Sequence, residues 1–215
     1  MQPKSKRSII LMGGGGHCSS VIDVIESTGD YLIEGIIDKP ELIGRSLLGY
    51  KYIARDEDLP EIVKPDNYFL ITVGQTESND VRIKLFCLLS ALNANFATVI
   101  APSARVSKHA VIGKGTVVMH NAFVNAGSVI GENTIVNTAA LIEHDCSVGN
   151  HCHISTCSVV NGEVKIGDDC FIGSNSVIRN GIIIGRNTIV GAGAVVINNT
   201  EMDSVYVGNP ARKIR

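Results

Sequence analysis

The fold is decided by a six-residue repeat, most easily seen in residues 130–159, which read IGENTI VNTAAL IEHDCS VGNHCH ISTCSV when written in sixes. Every sixth position from residue 100 to residue 196 is Ile or Val, without a break in register. Four residues after each of these seventeen positions comes Ala, Ser, Thr or Cys in fifteen cases. Helices repeat every ~3.6 residues and strands every ~2, so a fixed period of six predicts a solenoid of stacked short strands.

The repeat predicts a β-helix in which Ile or Val points to the axis and the small residue fills a corner, because β-branched side chains suit a stacked, pleated surface. Glycine directly follows the Ile or Val at Gly113, Gly131, Gly149, Gly167, Gly173, Gly185 and Gly191. Such glycines indicate either a positive φ or a close approach of another backbone. The pattern resembles the hexapeptide-repeat acyltransferases, and this resemblance implies a left-handed helix of triangular section with three hexads per coil.

The first part of the chain has another pattern, a buried strand that runs into a glycine turn and then a helix. Residues 7–14 are interpreted as the strand, Gly13–Gly16 as the turn and residues 19–26 as helical. Bare N–H groups at a helix N-terminus attract anions, so this turn predicts a phosphate cradle. The next strand, residues 32–37, ends in Asp38, where dinucleotide folds often place an acid that binds a ribose hydroxyl.

A complete dinucleotide fingerprint would need a third glycine at the position of Cys18. Three interpretations of the turn therefore stay open: a nucleotide or nucleotide-sugar site, an NAD site, and a tight turn without a ligand.

A second unit of strand, glycine and helix follows. Residues 67–74 are predicted to form a buried strand ending at Gly74, and residues 78–92 a helix with Arg82 and Lys84 on its exposed side. This order predicts a small parallel α/β sheet. We expect a Rossmann-like α/β domain at residues 1–99, a left-handed parallel β-helix at 100–201 and a tail at 202–215. The α/β domain is expected to cover the open end of the solenoid.

The composition of the chain argues against several classes of function. A net charge of −2 and a pI near 6.3 argue against electrostatic binding of nucleic acid or an anionic membrane. There is no apolar run of the ~18 residues that a membrane helix needs, and the first residues do not resemble a signal peptide, so a cytoplasmic location is expected. Cys146, Cys152 and Cys170 fall on the small corner position and are interpreted as packing residues; no metal is expected.

One hexad carries candidate chemistry, because Ile142 is followed by Glu143, His144 and Asp145. A histidine oriented by a carboxylate is a general base tuned near neutral pH, whereas the alternative is a solvated surface histidine. Since a β-helix presents flat faces, a site on it is expected in a cleft between subunits.

This hexad, the Gly-Gly-His turn, His153-Ile154-Ser155 and Asn161-Gly162 together resemble the family of sialic-acid O-acetyltransferases and UDP-4-amino-sugar N-acetyltransferases, over essentially the whole chain. The resemblance implies that His144 is the catalytic base, that Asp145 raises its basicity where amino-sugar enzymes usually have Glu, and that Asn137 lies near the reacting amine. It places acetyl-CoA at His153, Ser174, Ala192 and the Gly162 N–H, which would receive the thioester oxygen. The implied nucleotide-sugar residues are Gly15, Gly16, His17, Asp38 and Gly74.

The expected function is acetyl transfer from acetyl-CoA to the amine of a nucleotide-activated amino sugar, in bacterial surface-glycan synthesis, by a homotrimer and without an acyl-enzyme. One alternative is a sialic-acid O-acetyltransferase, which residues 158–162 resemble. Another is a non-catalytic trimeric scaffold that binds a nucleotide sugar. The basic tail, with Arg212, Lys213 and Arg215, lies either in solvent or beside coenzyme A.

Overall fold

The N-terminal part of the chain is an α/β domain. The structure, a computed structural model, describes residues 6–76 and 78–215. Its first elements are β1 (Arg7–Met12), α1 (Gly16–Thr28), β2 (Tyr31–Ile37), β3 (Ser46–Leu47), β4 (Tyr50–Ala54), α2 (Leu59–Ile62), β5 (Asn67–Ile71), α3 (Asp80–Ala91) and β6 (Asn95–Phe96), with 3-10 turns at Pro40–Leu42 and Asp56–Asp58. They form one sheet in the order β3-β4-β2-β1-β5-β6, parallel except for the β3–β4 hairpin. The parallel sheet was predicted, but the hairpin was not.

Two-residue strands build the solenoid, and each lies on one of three faces. Face 1 contains β7 (Val99–Ile100), β10 (Val117–Val118), β13 (Ile135–Val136), β16 (His153–Ile154), β19 (Phe171–Ile172), β22 (Ile189–Val190), β24 (Val205–Val207) and, antiparallel to β24, β25 (Arg212–Lys213). Face 2 contains β8 (Arg105–Val106), β11 (Phe123–Val124), β14 (Leu141–Ile142), β17 (Val159–Val160), β20 (Val177–Ile178) and β23 (Val195–Val196). Face 3 contains β9 (Val111–Ile112), β12 (Val129–Ile130), β15 (Ser147–Val148), β18 (Lys165–Ile166) and β21 (Ile183–Ile184).

Each coil uses three hexads, so residues 18 apart in the sequence stack on each other. Val118 pairs with Val136, which pairs with Ile154, and the same register runs along the faces. The second residue of each strand points inwards, and from Val118 onwards these Ile and Val side chains are buried together with the small residues of the corners. The predicted architecture, a Rossmann-like domain followed by a left-handed parallel β-helix, is confirmed.

The glycines after the Ile or Val positions are explained by close approach and not by positive φ. A Cβ on Gly113 or Gly131 would lie about 2.5–2.6 Å from the backbone of the next coil. Positive φ occurs two residues later instead, where most positions carry a side chain, for example Asn133 (φ 50°) and Asp145 (φ 58°). Asn and Asp tolerate this left-handed conformation better than most residues.

The α/β domain packs on the side of the solenoid, which corrects the expectation that it covers the open end. The helix α1 is followed by the cap residue Gly29 (φ 68°). It buries Val21 and Ile25, which share a core with the outward side chains of face 1 such as Val117 and Ile135. At the open end, the inward Ile100 is still 37% exposed.

The prediction for Arg82 was wrong, because its side chain is fully buried and not exposed. Its guanidinium donates to the carbonyls of Ile71 (3.0 Å) and Val73 (2.6 Å) and to both the carbonyl and the side-chain oxygen of Asn133 (2.9 and 2.7 Å). Arg82 therefore ties the α/β domain to the solenoid, while Lys84 on the same helix is exposed as expected.

Candidate active site

The glycine turn opens a bare helix N-terminus to the surface. Gly13 has a φ of 98°, and a Cβ on Gly13 or Gly14 would overlap Val73 or Tyr52. Around Gly15 and Gly16, by contrast, a Cβ would meet nothing within 4 Å, so the backbone at the start of α1 faces open space. This arrangement suits an anion such as a phosphate.

Asp38 is held against this turn. Its carboxylate accepts the N–H of Gly14 at 2.6 Å and that of Lys39 at 2.7 Å. Cys18, at the position of the missing third glycine, is buried, and burial raises the pKa of its thiol to about 11. The thiol is therefore a packing group under the turn and not a reactive one.

A cleft of about 760 Å³ brings the predicted nucleotide-sugar residues together. It is lined by Gly13, Gly14, Gly15, Gly16, His17, Asp38, Lys39, Leu42, Val73, Gly74, Gln75, Thr76, Val81, Asn137 and His153. The first thirteen belong to the α/β domain and the last two to the solenoid. The structure thus places all five predicted nucleotide-sugar residues beside two of the residues predicted to lie near acetyl transfer.

Two neutral histidines form the floor of this cleft. Burial, with smaller contributions from the neighbouring Arg82 and His153, lowers the pKa of His17 to about 3. Burial likewise lowers the pKa of His153 to about 4. Their rings are 6.4 Å apart. Both are uncharged at neutral pH, so neither supplies a positive charge to an anionic ligand.

His153 is fixed between the two domains. Its Nδ1–H donates to the carbonyl of Gln75 at 2.8 Å, because a carbonyl only accepts, and Nε2 then accepts from the side-chain amide of Asn137 at 2.9 Å. Asn137 Oδ1 in turn accepts the N–H of Thr138 at 2.7 Å. Both ring nitrogens of His153 are therefore used within the chain, and the ring sets the orientation of Asn137.

His144 and Asp145 lie on another corner of the solenoid. His144 Nδ1 is 2.9 Å from Asp145 Oδ2, and this hydrogen bond, with the negative charges of Asp145, Glu143 and Glu163, raises the pKa of His144. Asn125 donates to Glu143 at 2.7 Å and fixes that carboxylate beside the histidine. An exposed imidazole in such surroundings is a good proton acceptor.

Gly162 lies one coil below His144. A Cβ on Gly162 would be 2.7 Å from His144 Nε2, so only glycine lets the ring lie against this backbone. The N–H of Gly162 has no acceptor within residues 6–76 and 78–215. His144, Gly162, Glu143, Asn161, Glu163 and Asn180 line a second cleft of about 370 Å³.

The remaining predicted coenzyme A residues stack on the corner between faces 1 and 2. Ser174 and Ala192 are 18 residues apart, in the column below Thr138. Ser174 Oγ is 2.9 Å from Ser155 Oγ, and Ala192 is exposed. This column offers a narrow strip of small, uncharged side chains that begins at the cleft of the glycine turn.

One chain does not bring the whole predicted site together. Asn137, His153, Ser174 and Ala192 belong to the corner between faces 1 and 2, or border it, while the His144–Asp145 pair belongs to the corner between faces 2 and 3. Face 2 separates the two groups.

Sequence reasoning missed three residues around the cleft. Tyr52 donates its hydroxyl to the carbonyl of Gly14 at 3.0 Å, Gln75 holds His153, and Arg82 lies beneath the strand that precedes the cleft. Each makes its contact through the tertiary fold, and none belongs to a local motif that would have indicated it. In the described parts of the chain, no cluster of His, Cys, Asp or Glu could hold a metal ion, and no helix is long and apolar enough to cross a membrane.

Comparison with known proteins agrees with this architecture. Residues 8–89 match the family model described as the PglD N-terminal domain, and residues 163–198 match the bacterial transferase hexapeptide model. The chain is 34% identical to the UDP-N-acetylbacillosamine N-acetyltransferase of Bacillus subtilis over 115 residues, which are 52% of this chain. The match spans about half (50%) of the length of that curated relative.

Two solved structures match almost end to end. The acetyltransferase domain of PglB from Neisseria gonorrhoeae, in complex with acetyl coenzyme A, is 31% identical with a TM-score of 0.90, covering 98% of this chain and 100% of that one. PerB from Caulobacter crescentus, in complex with CoA and GDP-perosamine, is 31% identical with a TM-score of 0.89, covering 97% of each chain.

A three-faced solenoid with a His–Asp pair on one corner and a nucleotide-type turn beside another defines the class of hexapeptide-repeat acyltransferases. Within that class, the chain belongs to the predicted family of sialic-acid O-acetyltransferases and UDP-4-amino-sugar N-acetyltransferases, together with the acetyltransferase domain of PglB and with PerB.

Proposed function

We propose that this protein transfers the acetyl group of acetyl-CoA to the amine of a nucleotide-linked amino sugar, with His144 as the general base. The observation that carries the proposal is the position of the imidazole. Nδ1 is bound to Asp145, and Nε2 lies against the backbone of Gly162. Because the Nδ1–H donates to the carboxylate, the neutral ring has its lone pair at Nε2, which is the nitrogen that faces the second cleft.

The chemistry needs a base and an oxyanion donor together. As the sugar amine attacks the thioester carbon, the N–C bond forms and the amine proton passes to His144 Nε2. The C–S bond then breaks, and the leaving thiolate of coenzyme A takes that proton from the imidazolium. We assign to the N–H of Gly162, which has no acceptor among the described residues, the role of donating to the thioester oxygen as negative charge develops on it. This direct transfer has no covalent acyl-enzyme.

The ligands are assigned to the two clefts by their chemistry. The nucleotide diphosphate would lie at Gly15, Gly16 and the start of α1, where open backbone meets the positive end of a helix. The uncharged pantetheine arm of acetyl-CoA suits the column of Ser174 and Ala192, whose own side chains are small and uncharged. Since both ring nitrogens of His153 are bonded within the chain, we assign to His153 the role of orienting Asn137 beside the sugar.

A homotrimer would complete the site. Face 2 carries a row of half-buried apolar side chains between the two halves of the site: Phe123, Leu141, Val159, Val177 and Val195. Covering this row with a second copy would bring the His144 corner of one subunit towards the Asn137 corner of the next. The expected mass in sedimentation is three times the 22.9 kDa of one chain. A monomer with full activity would contradict this arrangement.

The test of function is release of coenzyme A from acetyl-CoA, followed with a thiol reagent. Acceptors are UDP- and GDP-linked 4-amino-4,6-dideoxy sugars and free sialic acid, with His144→Ala as the control. Turnover with an amino sugar, lost in the variant, is expected. Turnover with sialic acid alone would indicate an O-acetyltransferase, and binding of a nucleotide sugar without turnover would indicate a scaffold; either result overturns the proposal. The cytoplasmic location and the role in surface-glycan synthesis stay predictions.

A further inference from the structure

Gly127 lies one coil above Asp145, on the same corner of the solenoid. The two residues are 18 positions apart, and the N–H of Asp145 donates to the carbonyl of Ala126 at 3.0 Å, so the backbones are in contact. Both residues have positive φ, 76° at Gly127 and 58° at Asp145.

The carboxylate of Asp145 fills the space that a side chain at residue 127 would take. A Cβ built on Gly127 overlaps Asp145 Oδ1, while the other oxygen, Oδ2, is the one that pairs with His144 Nδ1 at 2.9 Å. A carboxylate is rigid and planar, so displacing Oδ1 also displaces Oδ2.

Backbone conformation alone does not explain this glycine. At the equivalent left-handed positions of other hexads the chain has Ala139 (φ 55°), Cys157 (φ 56°) and Glu163 (φ 65°), so a side chain is compatible with this turn. At residue 127, the three atoms nearest to such a side chain all belong to Asp145, and the nearest is the carboxylate oxygen Oδ1.

We propose that Gly127 is a positioning residue for the catalytic pair: its missing side chain leaves the space in which the short Asp145 side chain turns its carboxylate to His144 Nδ1. This inference rests on the proposed function only in calling the pair catalytic; the geometry of the pair is independent of it. The charged groups that face His144 are Asp145, Glu143 and Glu163, and only Asp145 touches Gly127.

The chain offers a matched control in Gly181. It lies in the same column as Gly127, 54 positions further along, with a φ of 71°, and a Cβ there would meet nothing within 4 Å. Gly127→Ala and Gly181→Ala therefore carry the same backbone cost, and only the first disturbs Asp145.

The first measurement is the titration of His144 by NMR, with its resonance assigned by its absence in His144→Gln. Since Asp145 raises the pKa of His144, Gly127→Ala should lower that pKa, and Gly181→Ala should leave it unchanged. The second measurement is kcat/KM for acetyl transfer. It should fall about 10-fold or more in Gly127→Ala and not in Gly181→Ala. The loss is a fraction of the ~10²–10⁴-fold that a general base contributes to the rate. In an Asp145→Ala background, which removes both the overlap and the partner of His144, Gly127→Ala should cost no further activity.

Thermal stability, measured as Tm, tests the proposal independently if Gly127→Ala folds poorly. Any loss of Tm beyond that of Gly181→Ala should disappear in the double variant Gly127→Ala/Asp145→Ala, because the overlap is with the carboxylate. An unchanged His144 titration in Gly127→Ala, or equal effects of the two glycine variants, would overturn the proposal. If the wild-type protein transfers no acetyl group, the proposed function fails, but the titration and the stability cycle still decide the role of Gly127.

Discussion

The imidazole of His144 lies against the backbone of Gly162, one coil further along the solenoid, so closely that a Cβ on residue 162 would be 2.7 Å from Nε2. The stacking of the coils thereby holds the imidazole beside a backbone N–H that has no acceptor among the described residues. Because the coils repeat every 18 residues, this contact depends on which residue types occupy two equivalent positions.

Gly162→Ala should therefore reduce acetyl transfer by about 100-fold, since the methyl group pushes the imidazole away and a shift of ~1 Å in a catalytic group is enough for such a loss. The measurement is kcat with a saturating amino-sugar acceptor. In a His144→Ala background the methyl group has room, so Gly162→Ala should have little further effect. A similar loss in both backgrounds would mean that the residue acts without the histidine.

Asp145→Asn should move the pH dependence of activity. His144 works as a base only when neutral, so kcat/KM rises with pH through the pKa of His144 in the free enzyme. Asp145 raises that pKa. Without its charge the pKa falls, and the acid limb of the profile should shift to lower pH, while the rate at the plateau also falls because the base is weaker. A shift to higher pH would contradict the assigned pair. Lys213→Gln, a variant of another surface ion pair, should leave the profile in place.

Much of the fold was readable from the sequence because the repeat is strict. The inward Ile and Val series and the small corner residues predicted a solenoid of stacked strands, while its three faces and its left hand came from the family resemblance. The glycine turn with Asp38 predicted a nucleotide-type cleft in the α/β domain. His144 and Asp145 were identified as candidates, because few other positions of the repeat combine an imidazole with a carboxylate. Their roles came from the family resemblance and stay predictions.

Other features depend on contacts that no local pattern records. Arg82 has the spacing of an exposed helical residue, yet it is buried because carbonyls of both domains converge on it. The docking of α1 on face 1 follows from apolar side chains that point outwards from the solenoid, which the repeat alone does not distinguish from solvent-facing ones. The division of the site between two corners becomes visible only when hexads are assigned to faces.

His153→Phe should make stability at acid pH less sensitive to pH. Burial holds the pKa of His153 at about 4, below its ordinary 6.5. The unfolded chain therefore binds a proton that the folded one does not, so stability is complete above pH 6.5 and is lost as pH falls towards 4, by up to about 3 kcal/mol. Phenylalanine cannot be protonated and should remove this part of the slope.

The measurement is the free energy of unfolding in urea at pH values between 4 and 7. At pH 7 His153→Phe should be less stable by about 1–3 kcal/mol, because the Gln75 carbonyl and the Asn137 amide lose their buried partner. His109→Phe, at an exposed position, is the control. It should change neither the free energy of unfolding at pH 7 nor the dependence of that free energy on pH. A slope equal to that of the wild type would mean that His153 is already accessible to protons in the folded state.

Arg82→Lys should destabilise the protein by about 2–4 kcal/mol. The guanidinium makes four hydrogen bonds to oxygens of both domains, and its planar fork cannot be reproduced by an ammonium group with three donors. Each buried carbonyl that loses its donor costs about 1–3 kcal/mol of stability. The lysine restores some of these hydrogen bonds, so the total is less than the sum over all four acceptors. The reciprocal substitution Lys84→Arg, on the exposed side of the same helix, should change stability by no more than about 0.5 kcal/mol.

Because two of the four hydrogen bonds of Arg82 cross to Asn133 in the solenoid, hydrogen exchange in Arg82→Lys should increase on both sides of the contact, in β5 and around residue 133. An increase confined to α3 would show that Arg82 stabilises its own helix and does not join the domains.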